Sequence, residues 1–89
     1  MIIEFDSSFT KSLSKLLDAN LKLKIREIIE EATAANKLAE IKNVKKMKGY
    51  KTYYRIKSGD YRIGFELVDN TTVYFIIVAH RKDIYNIFP

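Results

Sequence analysis

The side chains best suited to chemistry lie between residues 42 and 62, where basic and aromatic residues are concentrated. This window holds eight basic residues and one acid, Asp60, and therefore carries +7, whereas the other 68 residues carry −2. Four tyrosines lie among the charges: Tyr50, Tyr53, Tyr54 and Tyr61. A positive field with interleaved aromatic rings favours a nucleic acid, which offers phosphates and stackable bases. The alternative is a solvated strand edge protected by lysines.

Strand alternation predicts that three cations of this window lie on one face of the sheet. Side chains two apart along a strand share a face, so Arg55 and Lys57 point the same way. Arg62 lies on the polar face of the next predicted strand, and the turn signal at Ser58-Gly59 joins the two strand ends. The three cations are therefore expected to form one patch, where their repulsion favours a bound anion. The alternative is that the three side chains point apart into solvent and bind no anion.

Three residues near the C-terminus add groups for proton transfer and anion binding. His80 and Arg81 stand just past the end of the last predicted strand, and Tyr85 follows Arg81 at helical neighbour spacing. His80 is either a proton-transfer group or a structural hydrogen-bonder, and Tyr85 is either functional or a packed terminal aromatic. One His, no Cys and scattered carboxylates predict no metal site, and the three isolated glycines predict no phosphate loop.

Two helices and four strands are predicted to position these residues. The range 1–5 is predicted as a strand, and Asp6 as the N-cap of the first helix. The apolar stripes of the two helices predict a hairpin packed on the core. The stripes are Phe9, Leu13, Leu16 and Leu17, then Leu21, Ile25, Ile28, Ile29 and Ala32.

The second half of the chain is predicted to be mainly strand, which makes the fold class α+β. The predicted strands are 52–57, 60–68 and 72–79, and the near-continuous apolar run of the last is typical of a central strand. The range 38–47 has no assigned structure, and the tail after residue 80 is predicted as a short helix or an extended end.

Length and composition predict one domain over 1–89 in the cytoplasm. The chain has room for one core. It has no cysteine, which fits a reducing compartment. The N-terminus lacks the pattern of a signal peptide, and the longest apolar run, 73–79, is too short to span a bilayer.

The segments KMKGYKTYYRIKSGDYRIGFEL and VYFIIVAHRKDIY closely resemble the RelE/ParE superfamily of toxin–antitoxin toxins. The resemblance extends over essentially the whole chain. It implies an N-terminal strand, an antiparallel helix hairpin on a small twisted, largely antiparallel sheet, and a short C-terminal helix or tail. The superfamily contains both ribonucleases and gyrase poisons, so the fold alone does not assign the activity.

The resemblance implies a candidate site. RelE-like members cleave messenger RNA, usually in the ribosomal A site, with basic residues and a C-terminal tyrosine. The matching positions are Arg55, Lys57, Arg62, Arg81 and Tyr85. The ending HR–x–x–x–Y favours the ribonuclease branch. Arg55 often corresponds to lysine in relatives, and arginine cannot accept a proton at neutral pH. No carboxylate matches the general base of some relatives, so the identity of the base stays open.

The implied reaction is metal-free transesterification, in which the ribose 2′-OH attacks the adjacent phosphorus and the 5′-oxygen leaves. Arg62 and Arg81 suit the phosphorane charge, because a guanidinium fork matches phosphate oxygens. Tyr85 can be base, acid or stacking platform, Lys57 acid or base, and His80 suits proton transfer.

Four lysines would hold flanking phosphates or ribosomal RNA: Lys45, Lys46, Lys48 and Lys51. The expected partners are messenger RNA, the ribosome and a cognate antitoxin that covers the basic patch, with no cofactor. Two alternatives remain, a gyrase-poisoning toxin of the same fold and a non-catalytic nucleic-acid-binding module.

Overall fold

A computed structural model describes residues 1–89 as three helices and one five-stranded sheet. The elements are β1 (Ile2–Phe5), α1 (Ser7–Ser14), α2 (Ala19–Ala34), β2 (Val44–Lys46), β3 (Tyr53–Ser58), β4 (Tyr61–Val68), β5 (Thr72–His80) and α3 (Ile84–Ile87). The strand order is β1-β5-β4-β3-β2, in which β1 runs parallel to β5 and every other pair is antiparallel. This arrangement confirms the predicted α+β class.

Two aspartates begin the two long helices. Asp6 accepts a hydrogen bond from the Ser8 backbone N–H at 3.0 Å, and Asp18 accepts from Asn20 and Leu21. The prediction that Leu17 belongs to the core stripe is wrong, because α1 ends at Ser14 and Leu17 is 96% exposed. Asp18 is a strong N-cap and begins a new helix, so Leu17 falls in the connection. No helix is both long and apolar enough to cross a membrane.

The main core lies between these helices and one face of the sheet. The rings of Phe5, Phe9 and Phe75 lie with centroids 5.4 to 5.8 Å apart, and Tyr54 stacks on Phe65. Aliphatic side chains from the helices and strands fill the space around the rings: Leu21, Ile25, Ile56, Ile63, Leu67, Val73 and Val78. The predicted apolar face of β4 therefore packs on the helices, which directs Arg62 to the opposite face.

The strands differ from prediction at two places. β2 was not predicted because it has only three residues, two of them lysines, and is held at the sheet edge by pairing with β3. His80 was predicted just past the last strand, but it is the final residue of β5 and pairs with Tyr61. The position of β5 between β1 and β4 confirms the predicted central strand.

A second, smaller core lies on the other face of the sheet. It is formed by Met47, Ala79, Ile84 and Phe88, with Tyr53 packed against it. The C-terminal tail thus contains the short helix α3, one of the two predicted alternatives, and folds back on the sheet. The face that carries the predicted basic patch is consequently bordered by this tail.

Candidate nucleic-acid interface

The predicted cations of β3 and β4 lie on the sheet face opposite the long helices. Lys57 pairs with Arg62 across the two strands, and Arg55 pairs with Gly64. Arg55 and Lys57 are two residues apart, which is roughly 7 Å along a strand. Gly59 has a φ of +58° in the connecting turn, a left-handed conformation that glycine adopts readily. Pairing register and turn therefore place Arg55, Lys57 and Arg62 on one face.

The Arg62 side chain is held against this turn. Its Nη1 donates hydrogen bonds to the carbonyl oxygens of Gly59 at 2.8 Å and Tyr61 at 3.0 Å. Nε and Nη2 make no hydrogen bond within the protein. The guanidinium group is thus held in place while it keeps donors for phosphate oxygens.

Arg81 is attached to the same turn through Asp60, the one acid of the basic window. The Arg81 backbone N–H donates to the Asp60 carbonyl oxygen at 2.8 Å, and Arg81 Nε lies 3.7 Å from Asp60 Oδ1. Both side chains are largely exposed, so the ion pair contributes little stability. The backbone hydrogen bond is what keeps Arg81 beside the β3–β4 turn, which also holds Arg62.

His80 has a defined hydrogen-bonding role. Its Nδ1 accepts a hydrogen bond of 3.1 Å from the Lys82 backbone N–H, so the neutral ring carries its proton on Nε2. The ring meets Tyr61 edge-on at a centroid distance of 5.4 Å. Its cross-strand partner Tyr61 packs on the main core, so His80 lies on the helix side of the sheet and not on the face of the predicted β3 and β4 cations. The structure therefore does not bring His80 together with Arg55, Lys57 and Arg62.

Tyr85 stands over Arg55. The guanidinium carbon of Arg55 lies 6.0 Å from the centroid of the Tyr85 ring, which is within cation–π range. Tyr85 is 61% exposed, so it is not the packed terminal aromatic. Helical spacing to Arg81 does not apply, because α3 begins at Ile84 and Arg81 lies in the turn before it.

Three of the four lysines predicted to bind RNA line a cleft together with Arg55 and Tyr85. This cleft of about 120 Å³ is lined by Arg55 and Tyr85 together with Lys45, Lys46, Met47 and Lys48. Lys51 is exposed in the β2–β3 connection and does not line the cleft. The basic face therefore has two groups, the cleft around Arg55 and the turn around Arg62. Lys57 lies between them in sequence along β3.

Gly64 and Phe88 border the site and were not predicted. A Cβ atom at Gly64 would lie 2.7 Å from the Phe88 ring, so the tail packs where no side chain fits. A glycine inside a strand is a recognised sign of close approach by another group. That signal was present in the sequence, but nothing in it identifies Phe88 as the approaching group.

The sheet face opposite the long helices is open and carries cations together with an exposed tyrosine. Arg62 and Arg81 present guanidinium groups, and the Tyr85 hydroxyl makes no hydrogen bond within the protein. No group of three or more His, Cys, Asp or Glu side chains lies close enough together to hold a metal ion.

Comparison with known proteins agrees with this architecture. The family model described as the ParE toxin of a type II toxin–antitoxin system matches residues 3–85. Toxin RelE3 of Methanocaldococcus jannaschii is 44% identical over 90 residues, which is 100% of both chains. The crystal structure of the RelB–RelE antitoxin–toxin complex from Methanococcus jannaschii matches with a TM-score of 0.80 and 41% identity, covering 97% of this chain and 99% of that chain.

A more distant match extends the similarity in fold. The intact E. coli RelBE toxin–antitoxin complex matches with a TM-score of 0.69 and 22% identity, over 89% of this chain and 94% of that chain. Identity at this level shows the fold alone. The family model and the 44% identical relative carry the assignment: this chain belongs to the RelE/ParE superfamily of type II toxin–antitoxin toxins.

Proposed function

We propose that the protein is an endoribonuclease that cleaves messenger RNA on the ribosome and thereby inhibits translation. The observation that carries the proposal is the exposed Tyr85 ring over Arg55, in a cleft lined by lysines. On the same sheet face, Lys57 and Arg62 are paired. Exposed aromatic and cationic groups side by side suit a base and its adjoining phosphate.

In the proposed reaction, a base removes the proton of the ribose 2′-OH, whose oxygen attacks the adjacent phosphorus. The bond from phosphorus to the 5′-oxygen breaks, and an acid protonates the leaving oxygen. The products are a 2′,3′-cyclic phosphate and a 5′-hydroxyl. Arg62 and Arg81 stabilise the added phosphorane charge, and Tyr85 and Lys57, which lie on the basic face, are the candidates for proton transfer. Mutation of each in turn assigns acid and base.

A cleavage assay in a purified translation system tests this function. The protein is added to ribosomes that translate a defined message, and the cut ends are mapped and tested for a cyclic phosphate. We expect cleavage within the translated region, with products that carry a 2′,3′-cyclic phosphate. Intact message at inhibitory protein concentrations would contradict the proposal.

The alternative target is DNA gyrase, and the ParE description of the matching family model keeps it in consideration. A supercoiling assay with purified gyrase distinguishes the two. Inhibition of supercoiling without message cleavage would favour the gyrase poison. Message cleavage with unchanged supercoiling would favour the ribonuclease.

We also propose that the partner is an antitoxin that covers the basic face. The relatives from Methanococcus jannaschii and E. coli were solved as complexes of a RelE toxin with a RelB antitoxin. A segment laid over the cleft and the turn would neutralise the charge and block RNA in one step.

A further inference from the structure

The Phe88 side chain occupies the space that a side chain at position 64 would need. Phe88 is 3% exposed, and a Cβ atom built on Gly64 would lie 2.7, 2.8 and 2.9 Å from three of its ring atoms. Gly64 does not have a positive φ, so the backbone does not require glycine there. Glycine at position 64 is instead required by the close approach of the ring.

Few contacts hold the helix that carries Tyr85. α3 has four residues, which is too short to be stable without tertiary packing. Ile84 is fully buried at its start, and the Phe88 backbone N–H donates to the Ile84 carbonyl oxygen at 2.9 Å at its end. The Phe88 ring also meets Tyr53 edge-on at 5.7 Å. Ile84 and Phe88 are therefore the anchors of the helix.

The anchor at Phe88 and the contact of Tyr85 converge on one point of the sheet. Gly64 is the pairing partner of Arg55 across β3 and β4. The residue that admits the Phe88 ring thus stands beside the residue whose guanidinium lies under the Tyr85 ring. Tyr85 itself is mostly exposed, so its own packing does not fix its position.

We infer that Phe88 and Gly64 are positioning residues, which lock α3 on the sheet so that Tyr85 stands over Arg55 in the cleft. This inference rests on the proposed function, in which Tyr85 acts on RNA in that cleft. Neither Phe88 nor Gly64 needs to touch the RNA. Loss of the lock should therefore lower the cleavage rate while the affinity for RNA is largely kept.

The first test compares Phe88→Ala with Ile87→Ala, which shortens an exposed neighbour on the same helix. For Phe88→Ala we expect faster amide hydrogen exchange in residues 84–89 and a roughly 100-fold lower single-turnover rate, the scale of a 1 Å misplacement. Phe88→Leu should recover part of the rate, and Ile87→Ala should resemble wild type. A wild-type rate in Phe88→Ala would overturn the inference.

A second test separates positioning from general stability. In a Tyr85→Phe background, Phe88→Ala should lower the rate little further, because the group that it positions has already lost its hydroxyl. An equal fold-loss of rate in both backgrounds would overturn the inference.

If Phe88→Ala does not fold, Gly64→Ala replaces it as the test variant, since the added methyl group displaces the Phe88 ring. Adding the smaller Phe88→Leu should then restore part of the rate, and a double variant no faster than Gly64→Ala would overturn the inference.

The two proposals fail in different ways. If wild type cleaves message and Phe88→Ala loosens the tail without slowing cleavage, the lock has no role in positioning and the ribonuclease function stands. If wild type cleaves no message, the proposed function is wrong, and the role of the lock in cleavage is wrong with it.

Discussion

Tyr85 exposes its hydroxyl while its ring lies beside a guanidinium, so removal of the oxygen alone separates chemistry from stacking. Tyr85→Phe keeps the ring and its contact with Arg55. We expect RNA affinity to stay near that of wild type and the single-turnover rate to fall by ~10²–10⁴-fold, the usual value of proton transfer. Tyr85→Ala should lose a further ~1–3 kcal/mol of binding, the value of a stacked base. Equal rates in all three proteins would rule out a catalytic role.

Arg62 on β4 and Arg81 in the turn after β5 both lie beside the β3–β4 turn, and each has donors left for phosphate. Arg62→Ala and Arg81→Ala should each lower the cleavage rate by ~10²–10³-fold, the usual loss for one preorganised donor. Lys82→Ala is the matched control, because it removes an exposed cation next to Arg81. Thermal unfolding of each variant checks that the domain remains folded, and we expect small shifts. Full activity in either arginine variant would remove that residue from the site.

At the scale of elements, local patterns predicted most of the fold. The apolar stripes of α1 and α2 and the alternation in β3 and β4 repeat over many residues, so each was readable from sequence. β2 has only three residues and depends on pairing with β3, a contact that no local pattern contains.

The candidate site also has one part that local sequence patterns predict and one part that depends on long-range packing. Alternation predicted that Arg55, Lys57 and Arg62 share a face, because that relation depends on strand geometry alone. The contact of Tyr85 with Arg55 joins residues 30 positions apart. The packing of Phe88 on Gly64 likewise depends on how the tail folds back. Long-range packing of this kind is decided by tertiary structure and could not be read from spacing.

The junction of β1 and α1 carries a carboxylate whose titration is coupled to folding. Hydrogen bonds from Ser8 and Tyr74 to Asp6 lower the pKa of Asp6 from 3.8 to about 2. The hydrogen bond between Tyr74 and Asp6 also raises the pKa of Tyr74. The folded state thus binds the Asp6 proton less tightly than the unfolded chain. Asp6 therefore contributes stability above pH 3.8 that is lost as the pH falls through about 2.

Asp6→Asn should flatten this acid limb of the stability curve. Urea unfolding between pH 2 and pH 6 would measure it, with Asp69→Asn as the control at an exposed turn carboxylate. We expect the midpoint of wild type and of the Asp69 variant to fall more steeply below about pH 4 than that of the Asp6 variant. Parallel curves for all three proteins would show that Asp6 does not link folding to protonation.

The whole molecule offers a partner two different surfaces. One is the basic face with its lysine-lined cleft, which carries most of the positive charge of residues 42–62. The other is an open groove of about 630 Å³ between α1 and α2, lined by Leu13, Ile25 and Ile29 among polar residues that include Lys22. An acidic antitoxin segment on the basic face would be attracted from a distance and weakened by salt.

Charge reversal at one lysine of each surface distinguishes the two docking modes. Lys48→Glu changes the basic cleft, and Lys22→Glu makes the same charge change in the groove. If the antitoxin covers the basic face, Lys48→Glu should slow association on the order of tenfold at low salt, and Lys22→Glu should have a smaller effect. Wild-type affinity should also fall as salt rises. The reverse order, with slow association only in Lys22→Glu, would place the antitoxin in the groove and leave Arg62 and Arg81 uncovered.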